Sequence, residues 1–130
     1  MKFYWDSSAL IQTTLDASLR DRLKREGGFT RTHTLTEVFS ALTAKLQIRM
    51  DAMAAQKVVK DISHDIEFVD LSASEIIEGL AHAQARGVRG GRVHDYVHAL
   101  AAAKSGAAAL LTLDKNDFDK LVPGLSIEQV

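Results

Sequence analysis

The stretch from Gly90 to Phe118 restricts most strongly what this chain can fold into. A Gly-Gly break at Gly90-Gly91 opens an alanine-rich helical pattern carrying His94-Asp95-Tyr96-Val97-His98. A short apolar run, Ala107 to Leu111, follows and stops at Thr112-Leu113-Asp114. A helix that starts at an acid and a buried strand that ends at another bring two carboxylates, Asp95 and Asp114, to one edge of a sheet.

The same alternation runs through the rest of the chain. Lys2 to Trp5 is a short aromatic-rich strand candidate, and Asp6-Ser7-Ser8 supplies N-cap chemistry for a helix through Ala9, Leu10 and Ile11. Leu15, Leu19 and Leu23 fall four apart on one helical face, with Arg20, Arg22, Lys24 and Arg25 mostly off it, until Gly27-Gly28 ends the segment. Phe29 to Thr32 is a second strand candidate. Leu35, Val38, Phe39, Leu42 and Leu46 then repeat as a buried helix face with Glu37 one position off it, and Asp51 to His64 is helical by the same period. Ile66 to Leu71 is a third strand candidate. Ser72-Ala73-Ser74-Glu75 caps a helix that ends near Arg86-Gly87, and Leu125 to Val130 follows the Pro123-Gly124 turn as a final edge strand. Strands alternating with helices predict an α/β fold with a mostly parallel sheet, because parallel neighbours need crossovers of about this length.

With 130 residues, 46% of them hydrophobic, the chain has material for one compact core and not for two ordinary ones, so a single domain over 1–130 is expected. A net charge of -1 excludes attachment to nucleic acid by overall charge and leaves only local basic patches. The absence of cysteine removes thiolate zinc sites and fits a reducing cytoplasm. Met1-Lys2 runs straight into Phe3-Tyr4-Trp5, leaving no space for a signal peptide, and no apolar run approaches the ~20 residues of a membrane span. A soluble cytoplasmic protein is the expectation.

Each acid has a structural explanation. Asp6 and Asp114 can be N-caps, and Thr34-Leu35-Thr36-Glu37 is a capping box in which Glu37 reaches back to Thr34. Asp95 fits least well, since aspartate is a mediocre helix former, although the first turn favours its charge. Jointly the four point elsewhere. Sites in parallel α/β sheets form outside the carboxyl ends of the strands, and carboxylates crowded there repel by roughly 3 kcal/mol per pair at ~5 Å and an effective dielectric of ~20. Protons or a hard cation must neutralise them, and oxygen-only ligands select Mg²⁺ or Mn²⁺ over zinc.

The tetrad of Asp6 in Trp5-Asp6-Ser7-Ser8, Glu37 in Leu35-Thr36-Glu37-Val38, Asp95 in Val93-His94-Asp95-Tyr96-Val97-His98-Ala99, and Asp114 in Thr112-Leu113-Asp114-Lys115-Asn116-Asp117-Phe118 resembles that of PIN-domain ribonucleases. The compact size is similar to VapC-type toxins of bacterial toxin-antitoxin pairs. The resemblance covers essentially the whole chain and lies in the order and spacing of the motifs. It implies a three-layer α/β/α sandwich and a Mg²⁺- or Mn²⁺-dependent endoribonuclease. Asp6, Glu37 and Asp95 would then be core metal-site acids, Asp114 the variable fourth, Asp117 an accessory acid, and Ser7 and Thr112 accessory hydroxyls. It further implies a small antitoxin partner lying over the acidic pocket and a homodimer, for which Leu15, Leu19, Leu42 and Leu46 are candidate surface. Arg86, Arg89 and Arg92, leading into the Asp95 helix, are candidates for RNA contact, as are Arg20, Arg22, Lys24 and Arg25.

Three rival readings remain at this level. His94 and His98, at i and i+4, imitate a zinc-binding H-E-x-x-H helix with aspartate for glutamate. Asp6 could be a phosphoryl-accepting nucleophile as in the haloacid dehalogenase type, though Ser8 stands where that type has a second aspartate. Finally, the chain could be a non-catalytic α/β binding module whose acids are only caps.

Overall fold

The structure is a computed structural model that describes residues 1–44 and 47–130, so Leu46 lies outside the described residues. Five short strands form one all-parallel sheet: β1 (Tyr4–Trp5), β2 (Phe29–Thr30), β3 (Glu67–Phe68), β4 (Leu110–Thr112) and β5 (Ile127–Gln129), in the order β3-β2-β1-β4-β5. Every expected strand is present but shorter than its apolar run. Among the described residues six α-helices accompany them: α1 (Ser7–Thr13), α2 (Ala17–Glu26), α3 (His33–Ala44), α4 (Ala52–Ser63), α5 (Ala73–Leu80) and α6 (Val93–Ser105).

Alternation along the central strands makes the layers. Trp5 and Leu111 face a core built with Leu10, Leu23, Val38, Leu42, Ala55 and Ile62 from α1 to α4. Tyr4 and Leu110 face the opposite core, built with Tyr96, Ala99, Ala101 and Ala102 of α6 and with Phe118 and Leu121. The alanines of α6 let that helix lie close to the sheet. Two apolar layers on either side of a buried sheet are the arrangement all-parallel sheets require.

β1 is paired on both sides, Tyr4 with Phe29 on β2 and with Leu110 on β4, and Trp5 with Leu111. The chain leaves β1 in one direction through β2 to β3 and returns on the other side as β4 and β5, so the order reverses between β1 and β4. Ligand sites in such sheets form at that crevice, beyond the carboxyl ends.

Several local expectations are corrected. The helix expected to run to Arg86-Gly87 ends as α-helix at Leu80, and a 3-10 turn at Gln84–Arg86 follows. The Tyr96 hydroxyl donates to the Gly79 carbonyl at 2.6 Å, tying that helix end to α6. The segment that Asp114 caps is a 3-10 turn, Lys115–Phe118. Leu15 lies outside α2 and is exposed, because Asp16 caps that helix through the Leu19 amide. Leu42 is fully buried and supplies no surface for a second copy, whereas Leu19 is partly buried against the same core. Ser72 and Glu75 form the expected reciprocal capping box. No helix among the described residues is long and apolar enough to cross a membrane.

Candidate active site

Asp6 follows β1 directly and its backbone amide donates to Leu111 of β4 at 3.1 Å, which seats it at the crevice. Its side chain does cap α1: Oδ1 accepts from the Ala9 amide at 2.8 Å and from the Ser8 hydroxyl at 2.7 Å. Both described bonds fall on one oxygen. Asp6 is only 4% exposed, and burial pushes its carboxyl above the ordinary range against the opposing bonds from Thr112, Ala9 and Ser8.

Asp95 sits in the first turn of α6 and is half-buried. Burial raises its carboxyl, and the charges of Asp117 and then Asp6 raise it further, against His98 and Arg92. Acids from three separate parts of the chain therefore act on one another at a single edge.

Glu37 does not form the capping box. Its Oε1 lies 3.0 Å from Nε2 of His98, whose Nδ1 lies 2.7 Å from the Tyr4 hydroxyl. Burial pulls the Glu37 carboxyl upward, but the hydrogen bond and charge of His98, with His33 and Arg31, outweigh it and hold the group below its usual range. Thr30 steadies the start of α3: its hydroxyl donates to the Trp5 carbonyl at 2.8 Å and lies 2.8 Å from the Thr34 hydroxyl.

Of the two acids after β4, Asp114 is exposed and accepts from the Asn116 amide at 3.1 Å, capping the 3-10 turn. Asp117, one turn on, is the one whose charge acts on Asp95. Thr112 is buried beside Asp6, its hydroxyl 3.3 Å from that of Ser8 and accepting from the Asp114 amide at 3.2 Å. Ser8 is thus the serine bonded to Asp6, whereas Ser7 lines a groove of about 440 Å³ with Ile11, Leu15 and Leu113.

The zinc-like pair is not one. His94 is exposed, and both ring nitrogens of buried His98 are already engaged. Arg86 is turned away from the acids: it lies over the Tyr96 ring at 5.8 Å and donates to its hydroxyl at 3.0 Å. Arg20 binds Asp61 and Asp65, and Arg22 binds Glu26 and Glu128. Arg92 reaches the Asp119 carbonyl at 3.4 Å, and Arg89 is exposed. Arg31 and Arg92 are the arginines whose charges act on the acids.

Sequence reasoning missed Arg31, took Ser8 only as part of the α1 cap, and read His98 as a zinc ligand rather than as the partner of Glu37. Ser8 had a signal in its position two residues after a capping aspartate; His98 had none locally, since its partners are Tyr4 and Glu37.

Two solved structures share this architecture. A chain of VapBC2 from Rickettsia felis, crystallised bound to a DNA fragment from their promoter, is 17% identical, with 99% of this chain and 98% of that one covered at a TM-score of 0.73. PAE2754 from Pyrobaculum aerophilum is 21% identical, with 98% and 89% covered at a TM-score of 0.69. The chain has the VapC-type PIN fold. No family model and no curated protein sequence matches it.

Among the described residues no three acidic or histidine side chains stand close enough to close on an ion as they are. The chemistry of the donor set nonetheless suits a hard divalent cation. It offers carboxylate oxygen, and Asp6 and Asp95 carry an electrostatic penalty from burial and, for Asp95, from like charges. A bound cation removes such a penalty.

Proposed function

We propose that this chain is a metal-dependent endoribonuclease, the toxin of a toxin-antitoxin pair, hydrolysing RNA phosphodiester bonds with Mg²⁺ or Mn²⁺. The observation that carries the reading is the Asp95 carboxyl, half-buried in the first turn of α6 and raised by the charges of Asp117 and Asp6. The non-catalytic alternative accounts for Asp6 and Asp114, which do cap, but gives no reason for Asp95 or for Glu37 to face that edge.

Asp6, Glu37 and Asp95 would hold the ion, with Asp117 or Asp114 on the fourth side. When bound, it supplies a water of lowered pKa and counter-charge for the phosphoryl oxygens. The protein's own part is orientation. The Ala9 amide and Ser8 hydroxyl fix one Asp6 oxygen, and α6 carries Asp95 on a rigid element. Arg31 and Arg92 lie where a phosphate backbone would need positive charge beside the acids. The Rickettsia felis neighbour was crystallised as VapBC2, which supports a small antitoxin partner here. A homodimer and a cytoplasmic location belong to the same reading.

Purified protein is expected to cleave RNA in Mg²⁺ or Mn²⁺ and to stop in EDTA, and expression without a partner is expected to arrest growth. Absence of cleavage with either ion across a mixed RNA pool sinks the reading. Because the charge of Asp117 acts on Asp95, Asp117→Asn is expected to slow cleavage more than Asp114→Asn. Initial rates on one RNA decide it.

A further inference from the structure

His98 is 2% exposed, yet both of its ring nitrogens make polar contacts. Their direction can be assigned. A glutamate carboxylate at neutral pH only accepts, so Nε2 carries the proton that faces Oε1. The neutral ring then has its lone pair on Nδ1. The Tyr4 phenol, a donor at neutral pH, donates to that lone pair at 2.7 Å. The bonds run one way, from Tyr4 through His98 to Glu37.

Such a chain is not needed for packing. Tyr4 and its neighbours Tyr96, Ala99 and Leu110 form an apolar cluster, and replacing a buried polar set by apolar groups of the same shape is often neutral or stabilising. What the chain achieves is to fix one oxygen of Glu37 from a position one helical turn beyond Asp95 on the same helix. The ring also lies within electrostatic reach of Asp6 and Asp95.

We infer that His98 is a positioning residue: locked in one tautomer by Tyr4, it aims Glu37 at the Asp6 and Asp95 edge so that the other Glu37 oxygen is presented to a divalent cation. This rests on the metal-site reading above. Outer partners of this kind typically govern metal affinity by 10- to 100-fold.

The test uses the full chain and Mn²⁺ alone, with affinity read by electron paramagnetic resonance and fold by circular dichroism. His98→Leu is expected to bind Mn²⁺ at least about tenfold more weakly than the native chain. His98→Gln, whose amide restores a donor toward Glu37, is expected to recover most of that loss. Tyr4→Phe leaves the ring free to change tautomer and is expected to fall between the two. In the native protein, nitrogen NMR at neutral pH should show His98 protonated at Nε2 and not at Nδ1. A Leu variant that binds like the native chain, a Gln variant as weak as Leu, or a proton on Nδ1 overturns the inference. Asp95→Asn separates the two levels. If it loses Mn²⁺ while His98→Leu does not, only the positioning role falls. If the native chain and Asp95→Asn bind Mn²⁺ alike, the metal-site reading falls and takes this role with it.

Discussion

Asp95→Asn is expected to reduce RNA cleavage by on the order of 10²–10³ or more, the scale of removing one preorganised charge-stabilising group. The same change should make the metal-free protein more stable. The Asp95 carboxyl is raised by burial, Asp117 and Asp6, so folding brings this charge into a worse place than the unfolded chain offers. The sign follows from proton linkage. A group whose acidity is weakened by folding binds its proton more tightly in the native state. Stability therefore falls as pH rises from the ordinary carboxylate range through the raised value, and stays lower above it. Asp6, raised by burial, acts in the same direction. Glu37, held below its usual range, acts oppositely: its support is present above the ordinary range and is lost as pH falls through its lowered value. The variant should therefore melt higher than the native chain in EDTA. That gap should widen as pH approaches neutrality. Saturating Mn²⁺ should reverse the order, because only the native chain would gain binding energy. Thermal melts with and without the ion check this. A variant that cleaves normally and melts lower would mean that Asp95 is a helix-start residue and nothing more.

Gly28→Ala carries the second large expectation, a destabilisation of about 2–4 kcal/mol, a melting temperature lowered by roughly 10 °C, or no folded protein. Gly28 has φ +147, and a Cβ there would stand 2.5 Å from the Phe3 carbonyl and 2.6 Å from Trp5 Nε1. Neither neighbour can yield. The Phe3 carbonyl accepts from the Phe29 amide at 2.9 Å, and Trp5 is fully buried with its indole donating to the Gly27 carbonyl at 3.2 Å. Since Asp6 follows Trp5 directly, any backbone shift that accommodates the methyl also moves the acid. Gly106→Ala is the control: φ is +71 but nothing lies within 4 Å of the added carbon, so only the backbone penalty of about 1–2 kcal/mol is expected. Urea unfolding of the two variants separates steric conflict from backbone preference, and equal losses would refute the steric account.

Much of this architecture was legible in the chain itself. Short apolar runs separated by helical periods gave the parallel sheet, and the acids at run ends gave the edge where the candidate site lies. Asp95 stood out because an aspartate in an alanine-rich helix lacks a packing reason. Glu37 was ambiguous, since Thr34-Leu35-Thr36-Glu37 is chemically adequate for a capping box. The partner that decides its direction, His98, is 61 positions away and belongs to a different layer. The basic clusters misled for a similar reason. Arg20, Arg22 and Arg86 are spaced like a nucleic-acid surface, but their guanidinium groups are engaged by Asp65, Glu128 and Tyr96, contacts that exist only after folding. Leucine periodicity likewise could not distinguish Leu42, which is core, from Leu15, which is exposed.

The pairing of the central strand has a consequence for synthesis. Tyr4 and Trp5 gain one neighbour from Phe29 but must wait for Leu110 and Leu111 to gain the other. A growing polypeptide on the ribosome thus carries Asp6 from the start without the second wall of its crevice, or the residues that follow that wall. Until β4 is made, the crevice beside Asp6 has only one of its two walls.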